Sequence, residues 1–208
     1  MALSSNKTLT VYRSRKTILE LFKFMKYDVD DYTDFSINEI DAMYESSQLD
    51  MLISNKEDKK AYIKYYLTSK QLRPETLNDM IEDLFQIEEV LKKSDTLVII
   101  VNDEPNDTII NRVKYLYDKE GIFVVIHNIR RLQFNILNHI LVPNIQILKD
   151  SEIAELKVKF NLKNEMQLPE ISRFDPQALA VAMRPGQICK LTRKSSTSLF
   201  YNYYRVCV

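Results

Sequence analysis

Few side chains in this chain of 208 residues stand at a spacing that could do chemistry. Asp50, followed by Glu57-x-Lys59 or Asp58-x-Lys60, is the set a metal-dependent nuclease needs. Two carboxylates would hold Mg²⁺ and the lysine would steady the attacking water. The acid-x-lysine pairs fall in a polar run between two apolar ones, where a solvated hairpin tip is the plainer reading. Lys64 lies inside the second apolar run, but Tyr62, not an acid, stands two residues ahead of it. His127 ends an apolar run, a position where ligands gather in parallel sheets. No serine or cysteine has the context of a nucleophile beside it. His139, in Asn138-His139-Ile140-Leu141-Val142-Pro143, reads as a hydrogen-bonded structural histidine. Cys189 reads as a small buried hydrophobe. Phe200-Tyr201-Asn202-Tyr203-Tyr204-Arg205 admits two readings: a platform for stacking nucleic-acid bases, or a strand whose tyrosine face packs on a partner or on the core. The second is favoured, because a terminal strand needs covering.

Composition removes whole classes of function. The only glycines are Gly121 and Gly186, so no glycine-rich phosphate cradle can be built. Two histidines and two cysteines, none at ligand spacing, exclude a zinc finger or ribbon. Cys189 and Cys207 make no disulfide framework, which points to a reducing compartment. Met1 to Lys7 is polar, so no signal peptide is expected, and no apolar run is long enough to span a membrane. With 29 basic and 29 acidic residues the chain is neutral overall, unlike a general polyanion binder. The charge is nonetheless uneven. Residues 1–135 hold 19 basic and 23 acidic residues, net −4; residues 136–208 hold 10 and 6, net +4. After Asp175 come Arg184, Lys190, Arg193, Lys194 and Arg205 with no further acidic side chain, which predicts two units with different partners.

The elements that must position these residues follow from periodicity. Val11, Ile18, Leu19, Leu21, Phe22 and Met25 recur at helical spacing and predict a helix over 8–26. Ser36-Ile37-Asn38-Glu39 has capping-box form and predicts a helix ending near Ser46. Leu49–Ser54 and Ala61–Thr68 read as strands of a hairpin. Arg73-Pro74-Glu75 starts a helix carrying Leu77, Ile81, Leu84, Ile87 and Leu91 on one face. Thr96–Val101 and Ile122–Ile126 are β-branched runs suited to strands buried on both faces, separated by a helix over 105–120 that stops at Gly121. Strand, helix, strand predicts a parallel pair. The fold class expected is therefore an α/β N-terminal domain over 1–135, with about four strands in a mixed, partly parallel sheet. A small α+β domain over 136–208 follows. It has a helix capped by Asp150-Ser151-Glu152 and running to about Phe160, and a short helix capped by Asp175-Pro176 and ending near Met183. Strands at 187–193 and 200–206 are joined through Lys194-Ser195-Ser196-Thr197-Ser198.

Three stretches carry a resemblance: His139-Ile140-Leu141-Val142-Pro143; Leu168-Pro169-Glu170-Ile171-Ser172-Arg173-Phe174-Asp175-Pro176; and Arg184-Pro185-Gly186-Gln187 through Arg193, with Ser195, Thr197 and Tyr204-Arg205-Val206. Together they closely resemble the fifth subunit shared by the eukaryotic nuclear RNA polymerases; its shorter archaeal counterpart is similar to the C-terminal part alone. Tyr12-Arg13-x-Arg15-Lys16-Thr17-Ile18 resembles the opening of that family's jaw domain. The likeness is strong over the last 70 or so residues and weaker over 27–95. Departures are Ala182 where the family has glycine, Ser198-Leu199 where it has Ala-Gly, Ile145 where a second histidine is expected, and one extra residue near Met166. Leu199 is expected not to take φ > 0 as glycine does, so the turn at 194–200 is expected to differ in shape from the family's.

The resemblance implies a non-catalytic subunit of a DNA-directed RNA polymerase, with no cofactor, no metal and no small-molecule substrate of its own. It implies a C-terminal assembly domain docked on the largest subunit. The docking and fold-defining set would be His139, Pro143, Pro169, Asp175, Pro176, Gly186, Gln187, Arg193, Thr197, Tyr204 and Arg205. The net +4 predicts an acidic counter-surface. It implies an N-terminal jaw along downstream duplex DNA, holding it weakly by shape and charge, with Pro105 and Asn106 nearest the DNA. Asp103, Glu104 and Asp107 in that loop would repel phosphate. Two rivals stand beside this reading: a small metal-dependent nuclease built on Asp50, Glu57 and Lys59, and a free-standing transcription regulator using the basic tail. Scarce glycine, no tryptophan and abundant Lys, Asn, Ile and Tyr fit an AT-rich genome, such as that of a large DNA virus or a protist. The expected location is the nucleus if cellular, the virion or a cytoplasmic virus factory if viral.

Overall fold

The computed structural model describes residues 2–67 and 71–208. Thr68, the last residue of the expected second strand, lies outside the described residues, as does Met1 of the polar N-terminal segment. The chain divides into two compact units, Met1–Asn135 and Ile136–Val208.

The first unit is a five-stranded mixed sheet with helices. α1 (Ala2–Phe24) buries Val11, Ile18, Leu19, Leu21 and Phe22, one helical face, while Met25 falls beyond its end and is half-buried. β1 (Tyr27–Asp28) follows. α2 (Ile37–Glu45) opens on a complete capping box: Ser36 Oγ accepts from Glu39 N, and Glu39 Oε2 accepts from Ser36 N at 2.7 Å. β2 (Met51–Asn55) and β3 (Lys60–Tyr66) form the antiparallel hairpin, burying Met51, Ile53, Ala61 and Ile63. α3 (Pro74–Glu82) carries proline in its first turn. β4 (Thr96–Val101), α4 (Asp107–Tyr115) and β5 (Phe123–Asn128) make the βαβ unit. β3, β4 and β5 run parallel, and every residue of β4 and β5 is buried. Such burial on both faces is why these two runs lack alternation.

The second unit is a four-stranded sheet in the order β6-β8-β9-β7, with two helices. Its elements are β6 (Asn144–Ile147), α5 (Asp150–Phe160), β7 (Glu170–Ile171), α6 (Pro176–Ala180), β8 (Ile188–Ser195) and β9 (Leu199–Cys207). β8 and β9 pair in register from Ile188↔Val206 to Ser195↔Leu199. The core is Ile145, Ile171, Ala178, Val181, Met183, Cys189, Leu191 and Cys207. Its members include the isoleucine at 145, which is 3% exposed and packs inside, where an apolar side chain suits better than a histidine. Leu148, Leu156, Ile188 and Val206 form a second cluster.

Several expectations need correction. The helix expected over 105–120 starts at Asp107, because Asn106 caps it by accepting from Ile109 N at 3.0 Å; Pro105 precedes the cap. Ile87 is 69% exposed, not on the buried face of α3. A π turn over Asp83–Ile87 adds a residue per turn and rotates the following side chains off that face, while Leu91 is buried beyond it. At α5 the N-cap is Lys149, whose N–H donates to Glu152 Oε2 at 2.9 Å, so Asp150 is the first helical residue, not the cap. The short helix capped by Asp175 ends at Ala180 rather than near Met183. β1, β6 and β7 were not expected; two of them are two residues long and too short to show a period.

The largest correction concerns the turn after β8. Leu199 does take a left-handed conformation, φ +58, and Ala182 takes φ +45. At Ala182 the cause is a Schellman closure of α6: Met183 N donates to Ala178 O at 3.0 Å and Ala182 N to Leu179 O at 3.1 Å. At Leu199 the cause is the short connection. Ser195 and Leu199 are paired, and Ser195 Oγ accepts from Thr197 N at 3.3 Å and Ser198 N at 3.4 Å, leaving the return to β9 to Leu199. Its side chain is 79% exposed and meets solvent, so the strain is intrinsic to the backbone. Leu199→Gly and Ala182→Gly are each expected to stabilise the second unit by about 1 kcal/mol, the relief of a left-handed side-chained residue less the entropy glycine adds to the unfolded chain. Urea titrations of the two variants check this; a lowered midpoint in both contradicts it.

Candidate interaction surface of the C-terminal unit

In the second unit the chain before β6 lies beside the far end of the β8–β9 hairpin. Ile140, Leu141, Val142, Pro143 and Asn144 face Thr192, Arg193, Lys194 and Phe200 across a groove of about 590 Å³. Ile140 is 81% and Leu141 84% exposed, and Phe200 60%. Their position is held by local bonds. His139 N donates to Ile136 O at 3.1 Å, Val142 N donates to His139 O at 2.9 Å, and His139 Nδ1 accepts from Leu141 N at 3.2 Å. Gln177 Nε2 of α6 donates to Pro143 O at 2.6 Å, tying the segment to the helix that Asp175 caps. Three bulky exposed apolar side chains and two cations thus share the lining of one groove. The two edge strands of the sheet are β6, antiparallel to β8, and β7, parallel to β9.

The residues singled out from the sequence divide into those at this groove and those that build it. His139, Pro143 and Arg193 are at or beside it. Arg193 also lies over the Tyr203 ring at 4.9 Å, and Arg205 lies over the same ring at 5.2 Å. Arg205 Nη1 donates to Glu170 O at 3.2 Å. Pro169 O accepts from Val206 N at 3.0 Å, Gly186 N donates to Cys207 O at 2.9 Å, and Gln187 Oε1 accepts from Arg184 N at 2.8 Å. Asp175 Oδ1 accepts from Gln177 N at 2.9 Å, with Pro176 at the first helical position. Tyr204 meets Phe160 edge-on at 5.7 Å. Thr197 Oγ1 lies 3.1 Å from Ser195 Oγ in the loop. Pro169, Asp175, Pro176, Gly186, Gln187, Thr197 and Tyr204 therefore shape the unit. Sequence reasoning did not single out Ile140, Leu141 and Lys194 as contact residues, and it held Phe200 only as part of the aromatic run read as a stacking platform or a packed strand. The available signal was the apolar run Ile140-Leu141-Val142 immediately before a proline, too short for a helix.

The first unit brings no catalytic set together among the described residues. Asp50 Oδ1 accepts from Tyr65 N at 3.0 Å and Oδ2 from Tyr62 O–H at 3.1 Å, so the carboxylate is spent on β3. Burial first, then Asp50, pushes the Tyr62 hydroxyl well above the ordinary tyrosine range. Glu57 and Lys59 pair with each other at 2.9 Å on the exposed turn. Glu104 pairs with Arg131 at 2.9 Å, and Asn106 is engaged as a helix cap. Among the described residues no group of His, Cys, Asp and Glu could hold a metal.

Comparison with known proteins bears on both units. The family described as RNA polymerase Rpb5, C-terminal domain, matches residues 134–207. The DNA-directed RNA polymerase subunit Rpo5 of Thermococcus kodakarensis is 41% identical over 76 residues, 36% of this chain and 92% of that protein. The Rpo5 of Pyrococcus abyssi is 42% identical over a stretch of the same length. The DNA-directed RNA polymerases IV and V subunit 5B of Arabidopsis thaliana is 27% identical over 203 residues, 95% of this chain and 88% of that protein.

His127, in β5 opposite Ile100, is 7% exposed. Burial, then the charge of Arg131, pushes its pKa down to about 4. The unfolded chain takes up this proton near the ordinary histidine value, whereas the folded chain holds it off until about pH 4. Stability from this group is whole above the unfolded pKa and drains as pH falls towards the folded one. His127→Gln is expected to shrink the loss of unfolding free energy between about pH 7 and about pH 4.5 by roughly 2 kcal/mol. Chemical denaturation at both pH values checks it; an unchanged pH dependence speaks against the assignment.

Proposed function

The chain belongs to the Rpb5 family of DNA-directed RNA polymerase subunits, and from that premise we propose that its C-terminal unit docks on the polymerase's largest subunit through the groove at 140–144 and 192–200. Members of this family are accessory, so the chain is a non-catalytic polymerase subunit and other polymerase subunits are its partners. One observation carries the docking reading: the unit that matches the family leaves Ile140, Leu141 and Phe200 uncovered beside Arg193 and Lys194. Apolar side chains of this size find their cover in a partner. The unit's net +4 favours an acidic counter-surface, whose role is orientation and selectivity more than raw affinity.

The N-terminal unit, on this reading, is the jaw that flanks downstream DNA. With net −4, and with Asp103, Glu104 and Asp107 around Pro105, it gains nothing by neutralising phosphate. Its contribution is shape, with Pro105 and Asn106 as the residues nearest the duplex. In a cell the place of work is the nucleus. The nuclease rival has no support in the relatives' names, and its acids are committed elsewhere in the fold.

The experiment is co-purification from the organism that expresses the chain. A tagged wild-type chain is expected to bring down two polymerase subunits of very high mass. A triple variant, Ile140→Asp, Leu141→Asp and Phe200→Asp, is expected to lose that recovery at least about tenfold, since a few buried apolar anchors dominate such interfaces. Its circular dichroism and thermal midpoint should match the wild type, because all three side chains are exposed. Undiminished recovery by the triple variant rules out this face as the docking surface.

A further inference from the structure

Arg15 sits in α1 and is only 2% exposed. Its Nη1 donates to Leu49 O at 3.0 Å, and its guanidinium lies over the rings of Phe35 and Tyr32 at 5.3 and 5.7 Å. Its Nε is buried and makes no hydrogen bond. No carboxylate lies within ion-pair distance of it among the described residues. Burial pulls its pKa below the ordinary arginine value, yet a guanidinium stays charged at neutral pH. Two rings and one carbonyl compensate a buried cation only in part. The unit's buried acid is treated differently: Asp95 accepts from Lys60 N at 3.0 Å and Lys92 N at 2.8 Å.

Arg15 also lines a cleft of about 320 Å³ between α1 and the segment 29–40. Leu19, Val29 and Ile40 supply apolar wall, and Lys16 and Lys23 add two exposed cations. Glu20 is the one acid in the lining, and its Oε2 accepts from Asn135 Nδ2 at 3.2 Å. The cleft therefore carries net +2 in a unit whose net charge is −4. We propose that this cleft is a binding site for a small carboxylic acid with a flat apolar body, its carboxylate paired to Arg15 and its body against Tyr32, Phe35 and Leu19. The volume is near the lower end for small-molecule pockets, enough for a single ring and its acid. A peptide strand is a poorer fit. The side of α1 offers no unpaired backbone groups for its main chain, because those of a helix are bonded internally. The site lies wholly in the N-terminal unit and stands apart from the docking reading.

Phenylacetate, with its uncharged isostere phenylacetamide as control, tests this on the full chain by NMR titration. Phenylacetate is expected to bind saturably in the millimolar range or tighter, shifting the signals of Arg15, Tyr32 and Phe35. Phenylacetamide should bind at least about tenfold more weakly, the usual worth of a charge-assisted hydrogen bond. Arg15→Gln should cost a similar factor. In case that variant does not fold, Lys16→Gln with Lys23→Gln changes only exposed side chains and should weaken the acid severalfold but not the amide. Equal binding of acid and amide, shifts confined to other residues, or no saturation in the millimolar range overturns the proposal. So does binding of a glutamate-bearing peptide where the free acid fails.

Discussion

The pairing of β8 with β9 is the constraint on which the C-terminal unit depends. The ladder from Ile188↔Val206 to Ser195↔Leu199 sets which side chains are shared with the core and which are not. At its base Ile188, Cys189, Leu191, Val206 and Cys207 are buried; at its tip Lys194, Phe200 and Tyr201 stand in solvent. A slip of one residue would exchange the side chains of the two core clusters that flank the sheet. The slip is resisted at both ends. At the base, Cys207 N donates to Gln187 O at 2.9 Å, and Val208 N donates to Ile171 O at 2.9 Å. At the tip, Ser195 Oγ gathers the two N–H groups of the loop. The groove beside the tip inherits its shape from that register, since β6 is hydrogen-bonded to β8 rung by rung from Ile147↔Cys189 to Asn144↔Thr192.

Scarcity of glycine shapes the rest of the backbone. Among the described residues nine take positive φ and only Gly121 and Gly186 are glycines; the others are Lys26, Ser47, Asp58, Glu89 and Asn161 as well as Ala182 and Leu199. Each of the seven costs energy a glycine would not. At Asn161, Ala182 and Leu199 the chain closes a helix or reverses a strand, and the surrounding hydrogen bonds dictate the backbone whatever side chain is present. That is why reasoning from residue type at Leu199 misjudged the turn. A leucine's preference is worth about 1–2 kcal/mol, less than what a paired hairpin and its loop bonds impose.

What was legible in the sequence follows the same logic. Thr96–Val101 and the run Ile122–Ile126, most of which lies in β5, were visible because burial on both faces demands unbroken apolar runs, and the capping box at Ser36 because two side chains must reciprocate at fixed spacing; the polar end of β5, His127-Asn128, was not read as strand. The β1 and β7 strands were invisible because two residues carry no period. The exposure of Ile87 was invisible because periodicity assumes an α-helix and the chain makes a π turn there. At the candidate site, the motifs at 139–143 and 184–193 were legible as a set. Which members face outward was not, because Ile140 and Leu141 look like core residues until the fold shows them exposed.

The ionisable groups of the first unit explain why a unit with so many charges has no reacting centre among its described residues. A general acid or base needs a proton it can exchange with a substrate at working pH. Asp50 holds Tyr65 N and the Tyr62 hydroxyl, and Asp95 holds the N–H groups of Lys60 and Lys92. Both carboxylates therefore serve as acceptors for the hairpin and for the chain entering β4. His127 is kept neutral across the physiological range by burial, with Arg131 adding to the effect, so it carries no imidazolium proton to give and is a weak base. A family of accessory subunits asks this of its fold: charge used to fix geometry, with the nucleotidyl chemistry left to other chains. Arg15 departs from that pattern, because its charge is buried without an acid at ion-pair distance among the described residues. The aromatic rings over it lessen the cost without cancelling it.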